Sequence, residues 1–408
     1  MKDLNRWIYA ASGVFVLLFA GVIYAWSILS ISIGSEFPGW PKAQLSLVFT
    51  FVMIFFCLGG LLGGLLSEKI SVKINVVASG LLFWAGFWLA AWTQTPWQLH
   101  VGFGVMGGLA SGLAYNAVLS TMSKWFPDKR GLISGILLMG FGFGSSLIGK
   151  AWQVYTPDAP GGWRISFRVL GALLFVVMAT SSVFFEKPSI KNSSAEEPSI
   201  ESVGLPPSWA IRTLPFWMIY CWSVLTGAAG LVLVSQAGGI AMEAAPRTES
   251  GVIALVVGLI SVFNSIGRVA FGLLYDTKGY RFTMTLDLLL SLFAAVLLIF
   301  AIRTGQIFLV AAGFVIGGVA FGGVSTSVSA VTGDFFGMRH YPVNFSIICT
   351  NLIFASFGST AAGYLYDRGN SYLSSMFMLV GMVLLSLVCL WGVRRPKNGS
   401  PVPPEVCI

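Results

Sequence analysis

The sequence predicts an all-α membrane protein, with twelve transmembrane helices in two pseudo-symmetric six-helix bundles. Three observations carry that prediction. The 408 residues are 56% hydrophobic and only 10% charged, against roughly a quarter charged in soluble domains. Apolar segments able to span a bilayer core of about 30 Å recur twelve times, six on either side of one polar stretch. Short signatures also repeat between the two sides at nearly one offset.

The segments are α1 (8–31), α2 (44–66), α3 (74–93), α4 (98–123), α5 (131–151), α6 (165–185), α7 (213–240), α8 (251–275), α9 (283–302), α10 (306–333), α11 (342–366) and α12 (373–392). They organise the chain into an N-terminal bundle (1–185), a linker (186–212), a C-terminal bundle (213–392) and a tail (393–408). Ser, Pro and Glu enrich the linker, a composition that cannot bury a core. No small-residue cleavage site follows the first apolar run, so α1 is expected to be retained rather than removed as a leader.

Sixteen of the 24 Lys and Arg fall on one side if both termini are cytoplasmic, and seven on the other, with Arg268 left over. That asymmetry predicts cytoplasmic termini and cytoplasmic linker and tail. It also accounts for the net charge of +8 without nucleic acid, leaving the lipid bilayer as the surrounding partner. Cys57, Cys221, Cys349, Cys389 and Cys407 show no metal spacing, and four of them lie in apolar runs as small hydrophobes. No cofactor or metal site is expected, and no nucleophile–base constellation or phosphate loop suggests an enzyme.

Duplication explains the two halves. Gly64-Leu-Leu-Ser-Glu68-Lys69 closes α2, and Gly272-Leu-Leu-Tyr-Asp276 closes α8, 208 residues later. Lys124-Trp-Phe-Pro127 follows α4, and Asp334-Phe-Phe-Gly337 follows α10, at an offset of 210. A third copy, Gly363-Tyr-Leu-Tyr-Asp-Arg368, closes α11 and fits three-helix units nested in each half.

Arg268 is the residue that breaks the pattern. It stands eight residues before Asp276 inside an otherwise apolar helix, roughly 12 Å from the helix end. A charge at that depth usually faces a polar cavity with a function. Asn264, four residues earlier, shares its helical face. A guanidinium fork binds a carboxylate through two parallel hydrogen bonds. The reading is an anion site.

The charged turns after α2 and α8 resemble the loop motif of the major facilitator superfamily, and the resemblance extends by position over the whole chain. The α8 copy, with Asp276, Lys278, Gly279 and Arg281, is the nearer one; in the α2 copy Ser71-Val-Lys73 stands where Gly-Arg is usual. More narrowly, Gly21-Val-Ile-Tyr24-Ala-Trp26-Ser27, Lys124-Trp-Phe-Pro-Asp-Lys-Arg-Gly131 and Arg268 resemble the bacterial oxalate/formate antiporter branch and the related monocarboxylate transporters. The resemblance implies the major facilitator fold, a bacterial inner-membrane location, a working monomer and carboxylate binding by Arg268. Animal members carry an aspartate where this chain has Asn264, and oxalate-specific members a lysine in α11, absent from Thr350-Asn-Leu-Ile353. One cation neutralises a monoanion better than a dianion such as oxalate.

The expectation is therefore a secondary transporter of small monocarboxylates (lactate, pyruvate or formate-like), with a proton as co-substrate and alternating access. A carboxylate exchanger, or a non-transporting carboxylate sensor, is the alternative. Further candidates for the substrate site are Tyr115 or its neighbour Asn116 in α4, with Tyr115 preferred, and Tyr24 in α1. Phe141, within Gly140-Phe-Gly-Phe-Gly144, is either a cavity wall or a packing aromatic. Ser325, Thr326 and Asn351 are polar groups at suitable depth. No acid is expected at mid-membrane, since Asp287 lies only a few residues into α9; any proton would travel with the carboxylate–Arg268 pair. Glu68, Arg130, Asp276, Arg281, Asp334 and Arg339, with Lys69 and Asp128, are expected either to bridge the halves when the carrier faces outward or only to set topology.

Overall fold

Twenty apolar residues in a helix reach about 30 Å, one bilayer core. The computed structural model describes residues 6–40, 42–67, 69–157, 161–185 and 204–395. Among them, eleven helical runs are long and apolar enough to cross a membrane. One of these, Gly251–Thr304, has 54 residues, about 80 Å, too long for one crossing. It breaks at Gly279, whose φ of 78° and ψ of 175° suit only glycine without strain. α8 and α9 are the two arms of this run, and the total is twelve crossings.

The other bounds follow local chemistry. α1 comprises Arg6–Ala20, a 3-10 stretch Gly21–Ala25, and Trp26–Glu36. α2 is Lys42–Leu66, α3 Val72–Ala91 and α5 Arg130–Tyr155. α4 covers Pro96–Trp125, opened by the Thr95–Gln98 capping box and loosened to a π-helix over His100–Gly107. α6 is Gly162–Ser182, α7 Leu214–Ala244, α10 Ile307–Phe336 and α12 Leu373–Gly392. α11 runs Tyr341–Gly369, parted at Thr350. The expected gap between α8 and α9 shrinks to one residue, because the polar residues flanking Gly279 stay helical.

Pairing repeats across the halves. α1 packs on α5, α2 on α4 and α3 on α6; α7 packs on α11, α8 on α10, and the α8–α9 run on α12. Each helix thus keeps its neighbours after a shift of six. Lipid offers no hydrophobic drive between helices, so close backbone approach supplies the attraction. A Cβ at Gly21 would strike the Phe141 carbonyl, and one at Gly144 the Leu18 carbonyl. Phe83, Phe87, Phe103 and Phe167 fill the centre of the first bundle, and Leu255, Phe308 and Trp391 stand exposed toward lipid.

The bundles touch each other through α5 on α8 and α2 on α11, a symmetric pair of contacts. Both lie toward the face that carries the α8–α9 corner. Gly204–Leu205, just before α7, is pinned to the second bundle by Leu205 N–H donating to the Phe336 carbonyl at 2.8 Å and Asn344 Nδ2 donating to the Leu205 carbonyl at 3.0 Å.

Candidate functional site

α5 offers α8 a face of glycine. A Cβ at Gly135 would collide with the Arg268 carbonyl, and one at Gly131 with the Gly272 carbonyl. At Gly142 the added atom would lie 3.4 Å from both Arg268 Nη1 and Ser265 Oγ. Spacings of four and seven put these three glycines on one side of α5. Arg268 is thereby brought against another backbone. Its Nη1 donates to the Leu138 carbonyl and its Nε donates to Asn264 Oδ1 at 3.2 Å. Thr326 Oγ1, from α10, donates to the Arg268 carbonyl at 3.2 Å and steadies the helix behind it.

Two consequences follow for the guanidinium. Nη2 has no hydrogen-bond partner among the described residues, and the side chain is half-buried on the side of the helix that faces the first bundle. No carboxylate among the described residues acts on it; the ionisable groups in electrostatic range are the hydroxyls of Tyr24 and Tyr115. A cation held in place and left without a counter-charge is half of an ion pair.

Aromatic rings of the first bundle wall this side. Tyr24 sits edge-on to Phe141 at 5.5 Å between centroids, and Tyr115 is 5.1 Å from both Phe141 and Phe56. Tyr115 also stacks on Phe345 of α11 at 6.0 Å. The 3-10 stretch in α1 places Tyr24 here, since Gly21 lets the chain run against α5.

Sequence reasoning named Arg268, Asn264, Tyr24, Tyr115 and Phe141, and these five gather in one place. Asn116 goes elsewhere. Its Nδ2 donates to the Pro342 carbonyl at 2.8 Å and to Ser346 Oγ at 2.5 Å, tying α4 to α11. Both Tyr115 and Asn116 reach α11, because Gly64 lets Pro342 and Ser346 approach closely. Ser325 bonds only within its own helix, to the Gly322 carbonyl at 3.4 Å, and no described contact joins Asn351 to Arg268. The helpers from α5 (Gly135, Leu138 and Gly142) were not named. Only the small-residue spacing at 131, 135 and 142 could have pointed to them.

The face with the α8–α9 corner is held by few charges. Asp276 accepts from the N–H groups of Gly131 and Leu132, both at 2.8 Å, an acid capping the N-terminus of α5. Ser134 and Ser329 hydroxyls meet at 2.9 Å between α5 and α10. Asp334 accepts from Arg395 at 2.6 Å, and Arg6 forks onto Asp128 at 2.7 and 2.9 Å. That guanidinium holds the Asp128 carboxyl below the usual range. Arg281 Nε donates to Tyr280 Oη at 3.1 Å. Arg130 and Arg339 form no ion pair among the described residues, and Glu68 lies outside them.

Asp287 was read as a residue near a helix end. With α9 beginning at Gly279 it lies two turns in and is fully buried, and neither carboxyl oxygen has a partner among the described residues.

A family model described as Major Facilitator Superfamily matches residues 10–348. The uncharacterized MFS-type transporter YhjX of Escherichia coli is 24% identical over 347 residues, 84% of each chain. The oxalate:formate antiporter of Oxalobacter formigenes is 22% identical over 73% of this chain and 69% of its own. Apicoplast pyruvate carrier 1 of Toxoplasma gondii is 27% identical over 65% of this chain and 55% of its own. Among solved structures, the proton:xylose symporter XylE superposes with a TM-score of 0.73 at 16% identity, covering 96% of this chain and 97% of that one.

Proposed function

We propose, given that the chain belongs to the Major Facilitator Superfamily, that it carries small monocarboxylates of the lactate, pyruvate or formate kind across a bacterial inner membrane, coupled to protons. The observation that carries this reading is Arg268: half-buried, anchored through Nε and Nη1, with Nη2 unengaged and no carboxylate opposite it. A carboxylate supplies the missing charge and accepts from the free fork. The aromatic wall of Tyr24, Tyr115 and Phe141 suits a short apolar tail, and leaves no second cation for a dianion.

Residues 1–185 and 213–392 act as the two rocking bodies, joined by 186–212, with 393–408 as a tail. The termini and the α8–α9 corner face the cytoplasm, so bundles closed on that face leave Arg268 open to the outside. The carrier works as a monomer. Loading neutralises Arg268, and a neutral site reorients more easily through a low-dielectric interior than a bare guanidinium.

Uptake of labelled L-lactate into proteoliposomes tests this. Accumulation under an inward proton gradient, lost in Arg268→Gln, is the expected result; saturable uptake retained in Arg268→Gln refutes the site. Similarity to an oxalate:formate antiporter supports a second reading as an exchanger. In that case uptake requires vesicles preloaded with another carboxylate and ignores the gradient.

A further inference from the structure

A carboxyl group sits inside the second bundle, behind the anion site. Asp287 of α9 has no exposed surface, and both of its oxygens lack a hydrogen-bond partner among the described residues. α10 faces it with Gly323, where a Cβ would lie 2.9 Å from Asp287 Oδ1 and 2.6 Å from the Phe271 ring. That glycine makes room for the acid. One turn along the same face of α10, the Ser327 hydroxyl is also buried and without a partner among the described residues. Among the described residues, none of the charged or titratable side chains on the packed helices, including Arg268, Tyr275 and Asp276 of α8 and Asp334 of α10, bonds to Asp287.

A buried carboxylate with no hydrogen bond and no counter-charge is costly, and the neutral acid is the form such surroundings tolerate. One polar side chain stands between the acid and the α8–α9 corner. Gly279, Thr283 and Asp287 lie four residues apart on one face of α9, and the Thr283 hydroxyl, itself buried, donates to the Gly279 carbonyl at 2.8 Å. This polar file starts at the α8–α9 corner and ends at the acid. α10 links the acid to the anion site, since a Cβ at Gly322 would meet the Arg268 backbone N at 2.8 Å while Gly323 beside it meets Asp287.

We propose that Asp287 is a proton-binding site of this carrier, releasing its proton toward the α8–α9 corner past Thr283 and sensing Arg268 through α10. The step is a bare, reversible proton transfer: the Asp287 carboxyl gives H⁺ to water at the corner and becomes the carboxylate, with no electrons moved. The proposal rests on the carboxylate-carrier reading for its role but not for its first test.

Infrared spectra of the purified protein in lipid read the acid directly, without transport. The neutral carboxyl C=O stretch is expected in the wild type at neutral pH, absent in Asp287→Asn, shifted in D₂O, and slower to shift in Thr283→Val. The proposal is overturned by a band unchanged in Asp287→Asn, a band that never shifts, or a band present only when sodium is replaced by choline, which assigns a metal cation instead. In proteoliposomes with L-lactate, Asp287→Asn should lose gradient-driven accumulation at least tenfold relative to its own exchange rate. Equal loss of both overturns coupling at Asp287. Wild-type vesicles that move no lactate refute the substrate reading and leave the infrared result standing.

Discussion

Gly142 decides how near a second helix comes to the Arg268 fork. A single Cβ would already stand in contact with Nη1 and Ser265 Oγ at 3.4 Å. The branches of a valine there would press on these atoms, and overpacking of this kind costs about 1–3 kcal/mol. Gly142→Val should therefore push the guanidinium off the Leu138 carbonyl and raise KM for uptake about tenfold, as kinetics in vesicles would show. Arg268→Lys keeps the charge but loses the planar fork and the Asn264 contact. A loss of at least tenfold in kcat/KM, about 1.4 kcal/mol, is expected. Arg268 and Asn264 were legible in the sequence because a charge interrupts an apolar helix with a polar residue four positions away. The Leu138 carbonyl was not, since a backbone acceptor leaves no trace in residue type. Gly135 and Gly142 were hidden among 48 glycines. Asp287 was missed because a helix boundary placed at 283 instead of Gly279 put it one turn too shallow.

Elements are fastened at their ends by a handful of polar groups. Beyond the crossing, where α1 finishes, Glu36 accepts from Trp163 Nε1 at 2.6 Å and from Arg164 Nη1 at 2.5 and 2.7 Å. Arg164 Nη2 donates onward to the Thr93 carbonyl at 2.9 Å, so α1, α3 and α6 share one knot. Burial pushes the Glu36 carboxyl up, but the bonds from Arg164 and Trp163, with the Arg164 charge, outweigh it and hold the group below its ordinary range. The folded state therefore binds fewer protons than the unfolded one. Its contribution is full above about pH 4.3 and fades as pH falls through the lowered value. Glu36→Gln should lower the thermal midpoint in detergent at pH 7, with a loss of about 1–3 kcal/mol for the partners left unmatched. That difference should shrink toward pH 3. Twelve segments and their six-and-six division were readable from hydropathy alone, whereas the 3-10 stretch at Tyr24 and the π-helix in α4 were not. Both are tertiary adjustments that residue propensity does not encode.

At the scale of the molecule, the internal repeat announced two like halves but not which face they close. Closure is a contact between repeats, and sequence similarity between them carries no information about it. The Ser134–Ser329 hydroxyl pair at 2.9 Å offers a direct handle. In a protein cleared of its native cysteines, Ser134→Cys with Ser329→Cys should cross-link on oxidation, reduce uptake at least tenfold, and recover on reduction. Cross-linking with unchanged uptake would mean that α5 and α10 stay together throughout the cycle. The seam itself has a further property. Gly131 and Gly135 meet α8 backbone to backbone, so the joint works as a clearance fit that accepts no added atom, with the Asp276 cap on α5 as its close-range charged fastening. On the proposed reading, substrate capture by an open cation is the opposite case, weakening as dissolved ions crowd the Arg268 mouth. Raising the ionic strength should thus slow loading more than reorientation of the empty carrier, so that one simple variable weights the two halves of the cycle differently.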